Sequence, residues 1–175
     1  QALSGAGYPG VPSLDAVGNV VPFISHEEEK METELAKMLG TYEDGEFRYA
    51  GFKVMANCAR VPVVDGHLES LVLDLEQQPE LKDLENCLVN FRGEPQKLNL
   101  PSAPKQFLHY FTEPDRPQPK LDRNTENGMA VCIGRLREDT LFDYKFACMS
   151  HNTLRGAAGG AVLLAELLAA KGYFD

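Results

Sequence analysis

Apolar residues spaced three and four positions apart predict a first helix within residues 23–39. Its apolar stripe consists of Met31, Leu35, Met38 and Leu39. Ser25 is the predicted N-cap, and Glu28 stands three residues later, as in a capping box. On a neighbouring face, Glu34 and Lys37 either form a solvated ladder of ion pairs or point into a site that binds a cation and an anion.

The same spacing predicts two more helices. One covers residues 79–91 and turns Leu81, Leu84 and Leu88 inward. The other runs from about Asn152 to Lys171 and ends at Gly172. Small residues fill positions 156–161 of this terminal helix, and they lower its stability unless another backbone packs closely against them. No partner surface for them is evident in the sequence.

Alternating apolar and polar positions predict the strands. The predicted strands are residues 52–59, a strand that starts at His67 with Leu71, Leu73 and Leu75 on one face, residues 106–111, and a hairpin of residues 129–136 and 141–149. Helices and strands in this order predict an α+β fold, with a mostly antiparallel mixed sheet and helices on one face.

Two segments are too rich in Gly and Pro to form long regular elements. In residues 1–22, glycines 5, 7 and 10 either allow a cofactor or a neighbouring chain to approach the backbone or belong to a surface loop. Residues 93–125 contain six prolines. Within them, residues 112–124 are expected to form an ordered excursion over the surface that could reach a partner subunit.

The stretch RVPVVDGH at residues 60–67 combines a guanidinium and an imidazole. Its valines favour a strand, and Asp65-Gly66 favours a tight turn, so Arg60 and His67 are predicted on adjacent strands. Arginine binds a carboxylate through paired hydrogen bonds, and histidine transfers protons near neutral pH. The stretch therefore indicates either a site for an acidic substrate or only a hairpin turn with an exposed His.

Composition narrows the classes of function. The 175 residues are enough for one domain, and 43% of them are apolar and 25% charged, as in soluble globular proteins. A net charge of −9 argues against nucleic acid as a partner. No apolar run approaches the roughly 20 residues that cross a bilayer. Gln1 is an unusual start for a natural chain, so we expect a processing or cloning boundary there, with sequence upstream.

The cysteines are Cys58, Cys87, Cys132 and Cys148, and none belongs to a CxxC pair. Their mostly apolar surroundings predict reduced, buried thiols in a cytoplasmic protein. No His stands at ligand spacing to them, so no metal site is expected. A nucleophilic role is disfavoured for each of them.

Four separated stretches resemble one family. They are QALSGAGYPG at residues 1–10, EEEKMETELAKMLG at 27–40, RVPVVDGH at 60–67 and SHNTLRGAAGGAVLLAEL at 150–167. In this order they resemble aspartate-semialdehyde dehydrogenase, in its archaeal and fungal branch. The resemblance implies NADP-dependent interconversion of aspartyl phosphate and aspartate semialdehyde, with release of phosphate, on the route to lysine, threonine and methionine. It also implies the fold of the C-terminal domain of glyceraldehyde-3-phosphate dehydrogenase.

The resemblance assigns the substrate-binding and catalytic residues. Arg60 would bind the substrate α-carboxylate, Glu34 its ammonium group and Lys37 the phosphate. His67 would be the acid–base group for the substrate oxygen and the thiol. Gln1 matches the active-site glutamine that begins the family's QAxSG motif.

The resemblance also assigns residues to the cofactor. Ser4 and Gly5 would approach NADP, and Asn152 would reach the nicotinamide. Residues 1–151 would form the catalytic and dimerisation domain. Residues 152–175 would form a helix that packs on a Rossmann domain upstream of this chain.

The family's nucleophilic cysteine lies in an Asn-Cys motif before the QAxSG stretch. Cys58 follows Asn57 but stands in a different place, so the nucleophile is expected upstream of Gln1. We therefore expect the chain to be inactive alone and to bind NADP poorly. Two alternatives remain open, a related malonyl-CoA-type reductase, in which Glu34 would lack its ammonium partner, and a module that only self-associates into a homodimer or higher oligomer.

Overall fold

The computed structural model describes residues 1–8 and 10–174, without the side chains of residues 11 and 12. The helices are α1 (Glu27–Met38), α2 (Leu81–Asn90), α3 (Glu94–Lys97), α4 (Pro119–Asp122) and α5 (Gly159–Ala170). The strands are β1 (Thr41–Glu43), β2 (Glu46–Arg48), β3 (His67–Leu73), β4 (Leu108–Phe111), β5 (Val131–Glu138) and β6 (Tyr144–Ser150). Short 3-10 turns cover Leu3–Ala6, Val11–Ala16 and Thr125–Gly128.

Four strands form the main sheet in the order β3-β6-β5-β4. Strand β6 is antiparallel to both β3 and β5, whereas β4 is parallel to β5. Helix α2 packs against β4 and β5. The predicted α+β class with a mostly antiparallel mixed sheet is confirmed, as are the hairpin of β5 and β6 and the inward leucines of α2.

The strand predicted over residues 52–59 does not form. This segment has no regular secondary structure and pairs with no described strand, and a single bridge joins Val21 and Arg60 just after it. Carboxylates of α1 satisfy its backbone instead, because the N–H of Ala56 donates to Glu32 and the N–H of Cys58 donates to Glu28. Backbone donors that find side-chain acceptors need no strand partner.

The predicted start of the first helix is also wrong. Helix α1 begins at Glu27, and the preceding His26 has a left-handed φ of 61° and makes no capping bond. The capping box expected for Ser25 is absent because the Glu28 carboxylate accepts the Cys58 N–H at 2.7 Å. The apolar stripe of α1 is not a core face, since no residue of this helix is buried and Met38 is 70% exposed.

The excursion over residues 112–124 is ordered, as predicted. Asp122 is only 2% exposed, and its carboxylate accepts bonds from the Arg116 guanidinium and from the N–H of Gln118. The carbonyl of Arg116 lies against Gly134 of β5, where a side chain would collide with it. The ion pair between Arg116 and Asp122 closes the excursion on itself, and the Arg116 carbonyl holds it against the sheet.

The terminal segment starts with a π-helical turn, Leu154–Ala158, which continues into α5. Of its small residues, Gly159 has a partner in this chain, whereas Gly156, Ala157, Ala158 and Ala161 are exposed. The sulfur of Met129 packs against Gly159, and Met129, Leu100 and Leu163 form a buried cluster. None of the described helices is long and apolar enough to cross a membrane.

Candidate functional site

The first four residues run beside the stretch that carries Arg60. The carbonyl of Gln1 accepts the N–H of Val61 at 3.0 Å, and the N–H of Leu3 donates to the Val63 carbonyl at 2.6 Å. One residue further along, the N–H of Ser4 donates to the Val64 carbonyl. This backbone pairing brings the N-terminal motif to Arg60, although the two are about 60 residues apart in the chain.

The guanidinium of Arg60 contacts the first two residues of the chain. Its Nη1 donates to the Ala2 carbonyl at 2.8 Å and to Gln1 Oε1 at 3.5 Å. A Cβ at Gly5 would lie 2.7 Å from the same Nη1, so only glycine leaves the guanidinium in this place. A guanidinium has five N–H donors, and the remaining ones suit a carboxylate.

His67 is held in one tautomer. Its Nδ1 accepts the N–H of Ala2 at 3.1 Å, so the neutral ring carries its proton on Nε2. Burial, the Gln1 ammonium and the Arg60 guanidinium together lower the pKa of His67 to about 4, and the Glu27 carboxylate opposes them. At neutral pH the ring is therefore an uncharged Nε2–H donor.

Part of this effect depends on the free ammonium of Gln1. In any chain that continues before Gln1, this group is a neutral amide, and its contribution to the low pKa of His67 disappears. The pKa of His67 is then expected to lie closer to its ordinary value, where a histidine exchanges protons near neutral pH. The contact between Ala2 and Nδ1 stays the same in both cases.

Asn152 joins the site to the terminal segment. Its Nδ2 donates to Ser4 Oγ at 2.7 Å, and its Oδ1 accepts the N–H of Gly66 at 2.9 Å. Gly66 has a φ of +97°, as the predicted turn requires. The structure thus brings together six predicted site residues, which are Gln1, Ser4, Gly5, Arg60, His67 and Asn152.

The structure does not bring Glu34 and Lys37 into this cluster. Both are exposed, and neither side chain makes a hydrogen bond or ion pair within residues 1–8 and 10–174. Lys37 Nζ lies instead over the ring of Phe47, 4.9 Å from its centroid. On α1, the carboxylate that acts on the pKa of His67 is that of Glu27, which raises it.

The sequence alone does not separate Glu27 from Glu34, because the helix repeats the same spacing of charges. Glu27 and Lys30 have the same spacing as Glu34 and Lys37, seven residues earlier. Seven residues are almost two turns, so both pairs share one face and lie about 10 Å apart along the axis. Only the docking of the helix start beside residues 56–58 distinguishes them.

The thiols are not activated. Burial raises the pKa of Cys58, and so do the carboxylates of Glu28 and Glu27. Burial raises the pKa of Cys132 as well, and that of Cys148 to about 12. Cys87 is exposed on α2 and Cys148 is only partly buried, so the prediction of buried cysteines is confirmed for Cys58 and Cys132 alone. No group of three metal-ligating side chains occurs in the described part of the chain.

Comparison with known proteins finds similar sequences and a similar solved structure. Residues 1–155 match the family described as semialdehyde dehydrogenase, dimerisation domain. The aspartate-semialdehyde dehydrogenases of Methanothermobacter thermautotrophicus and Schizosaccharomyces pombe are each 49% identical to this chain, over 170 and 177 residues that cover 96% and 98% of it. A crystal structure of aspartate-semialdehyde dehydrogenase with NADP from Candida albicans matches 99% of the chain, with a TM-score of 0.88 and 44% identity.

The chain spans about half the length of these relatives. The matches cover 49% and 50% of the two enzymes and 49% of the solved structure. The similarity therefore concerns one half of each relative.

Proposed function

The chain belongs to the semialdehyde dehydrogenase family, and from this membership we propose that it forms the substrate-binding and dimerisation part of an NADP-dependent aspartate-semialdehyde dehydrogenase. The reaction interconverts aspartyl phosphate and aspartate semialdehyde, with phosphate as the other product. The observation that carries the proposal is the cluster in which Arg60, Gln1 and His67 meet over the backbone of Ala2.

Arg60 binds the substrate α-carboxylate through the N–H groups that do not contact Gln1 and Ala2. His67 donates its Nε2–H to the aldehyde or thioester oxygen, on which negative charge develops during the reaction. Placing these donors in advance lowers the barrier, because they need no reorganisation as the charge forms. Gln1 Oε1 accepts from Arg60 Nη1 and so helps to hold the guanidinium.

Glu27 and Lys30 take the roles that the sequence resemblance gave to Glu34 and Lys37. Glu27 binds the substrate ammonium group, and Lys30, one turn further along α1, binds the phosphate. The support for this choice is the charge of Glu27, which acts on both His67 and Cys58. Glu34 and Lys37 remain candidates for contacts at the far end of the same face.

Ser4, Gly5 and Asn152 face the cofactor, and NADP supplies or accepts the hydride when it is bound. The nucleophilic thiolate comes from a part of the enzyme outside these 175 residues. The raised pKa values of Cys58, Cys132 and Cys148 support this assignment, since a protonated thiol is a poor nucleophile. The four unbridged cysteines suit a reducing compartment such as the cytoplasm, and we propose a homodimer or higher oligomer.

An assay of arsenate-dependent NADP reduction with aspartate semialdehyde tests the proposal. We expect no turnover by the 175-residue chain and turnover by an enzyme that contains it. In that enzyme, Arg60→Leu should lower kcat/KM by about a hundredfold or more, because a paired carboxylate contact is lost. Arg48→Leu, which removes an exposed guanidinium of β2, is the control.

Two outcomes would contradict the proposal. Turnover by the isolated chain would mean that one of its own cysteines is the nucleophile. Malonyl-CoA-dependent NADPH oxidation by the longer enzyme, without activity on aspartyl phosphate, would mean that the substrate carries no ammonium group for Glu27.

A further inference from the structure

Asn152 lies where three distant segments of the chain meet. It lies two residues after the end of β6, and its amide contacts the turn before β3 and the 3-10 turn at residue 4, which are 86 and 148 residues away in the sequence. Both polar atoms of the side chain are engaged, Nδ2 with Ser4 Oγ and Oδ1 with the N–H of Gly66. Within the described residues, the Gly66 N–H has no other acceptor.

Each contact acts on one support of His67. Gly66 directly precedes His67, so holding the Gly66 N–H fixes the turn that delivers the imidazole. Ser4 stands two residues after Ala2, whose N–H donates to His67 Nδ1. The amide of Asn152 therefore links the strand that carries the ring to the backbone segment that orients the ring.

We propose that Asn152 is a positioning residue, whose amide clasps the Gly66 turn to residues 1–4 and thereby holds His67 Nε2 toward the substrate. The role in the reaction rests on the proposed function, whereas the clasp itself is a property of this fold. This positioning role differs from the contact with nicotinamide that the family resemblance implies for Asn152. The two roles are compatible, because the amide keeps one N–H and one lone pair free for a cofactor.

The packing around Gly66 offers a second way to hold this turn, which does not involve the Asn152 amide. A Cβ at Gly66 would lie 3.2 to 3.4 Å from atoms of Pro119, Arg123 and Met149, so the turn is also enclosed from behind. If this enclosure alone held the turn, removal of the Asn152 amide would leave His67 unchanged. The clasp predicts instead that the change at residue 152 is transmitted to His67 and Ala2.

Amide hydrogen exchange and NMR titration of His67 in this chain test the clasp without any turnover. In Asn152→Ala, we expect the amides of Gly66 and Ala2 to exchange at least about tenfold faster, because the two segments that contain them open more often. The titration midpoint of His67 should rise from about 4 toward its ordinary value. Asn90→Ala, an exposed asparagine of α2, is the matched control and should change none of these.

Ser4→Ala removes a single hydroxyl and breaks only the hydrogen bond between Asn152 and residue 4. It therefore serves as the test if Asn152→Ala does not fold. It should speed exchange at Ala2 and leave Gly66 protected. Faster exchange at Gly66 alone, with Ala2 and His67 unchanged in Asn152→Ala, would overturn the proposal. So would an Ala2 amide that exchanges normally in Ser4→Ala.

Kinetics in an enzyme that contains this chain separate the clasp from a pure cofactor role. The clasp predicts that Asn152→Ala lowers kcat and shifts its pH profile, whether or not the KM for NADP also rises. A rise confined to the KM for NADP would identify a cofactor ligand only and would overturn the proposal. Because the exchange and titration readouts need no activity, they stand even if the proposed reaction is wrong.

Discussion

At the scale of single residues, the site is organised around backbone groups of Ala2. Its N–H donates to the ring of His67, and its carbonyl accepts from the guanidinium of Arg60. Ala2 is fully buried, so neither group has water as an alternative partner. One small residue thus sets both the tautomer of the imidazole and the position of the cation.

Gly5→Ala is expected to weaken substrate binding while the fold stays intact. The new Cβ would meet Nη1 at the flexible end of Arg60, so the guanidinium moves and the backbone does not. We expect the KM for aspartate semialdehyde in the complete enzyme to rise about tenfold, which corresponds to about 1.4 kcal/mol. Gly51→Ala is the control, since nothing lies within 4 Å of its added Cβ. An unchanged KM would mean that Arg60 does not bind the substrate.

The low pKa of His67 makes stability depend on pH. Between about pH 6.5 and about pH 4 the unfolded chain binds a proton at His67 that the folded chain does not, so stability falls as the pH falls through this window. After allowance for solvent screening, we expect a loss of about 1–3 kcal/mol. Urea unfolding at several pH values measures it.

His67→Gln should flatten part of this pH dependence. Burial also lowers the pKa of His151, so a smaller slope should remain in the variant. His26→Gln, at an exposed position, serves as the control and should behave like the parent chain. If His67→Gln keeps the full slope, the imidazole titrates normally in the folded protein.

Residue types were easier to predict from the sequence than their exact positions. The stretch that joins Arg60 to His67 indicated a shared site, and the structure brings the two side chains together through Ala2. The resemblance selected Glu34 as the acidic partner, but the sequence does not distinguish it from Glu27, because the two occupy equivalent positions on one helix face. Selection between them depends on which end of α1 docks beside Cys58, and this is a tertiary contact.

At the scale of elements, α1 is held by its polar side chains. It has no buried residue, and its carboxylates at Glu28 and Glu32 bind backbone N–H groups of residues 56–58. An amphipathic pattern reports a helix correctly but does not report which face is covered. The strand predicted over residues 52–59 failed for the related reason that its backbone donors go to α1.

Because of the π-helical turn before α5, we expect alanine substitutions at two glycines of the terminal segment to have opposite effects on stability. In Gly160→Ala the Cβ would lie 2.4 Å from the Arg155 carbonyl, a backbone atom that no rotamer change can move. We expect a loss of about 1–3 kcal/mol in stability, although alanine is the better helix former by about 1 kcal/mol. In Gly156→Ala the nearest atom is 3.8 Å away, so stability should stay equal or rise.

Urea unfolding of both variants measures the difference. The comparison is internal, because the substitution is the same and both sites lie in the terminal segment. Equal stabilisation of the two variants would mean that residues 154–158 form an ordinary α-helical turn in solution.

At the scale of the whole molecule, apolar surface remains uncovered at the edge of the main sheet. Among the strands that the structure describes, β3 has only β6 as a neighbour, and one of its faces exposes 48% of both Leu68 and Val72. Exposed apolar side chains on an unpaired edge strand favour association with another chain. The match to a dimerisation domain supports a second copy of the chain as that partner.

Sedimentation velocity therefore should show a dimer of this 19.3 kDa chain at micromolar concentration. The double variant Leu68→Lys/Val72→Lys should dissociate it, because burial of two ammonium groups in an apolar interface costs several kcal/mol, at least about 2 for each. Val89→Lys changes a valine on α2 that is 36% exposed and should leave the dimer intact. A strictly monomeric parent chain would contradict self-association, and a dimeric double variant would move the interface away from β3. Because His67 is the first residue of this strand, a β3 interface would also put the substrate site next to the partner subunit.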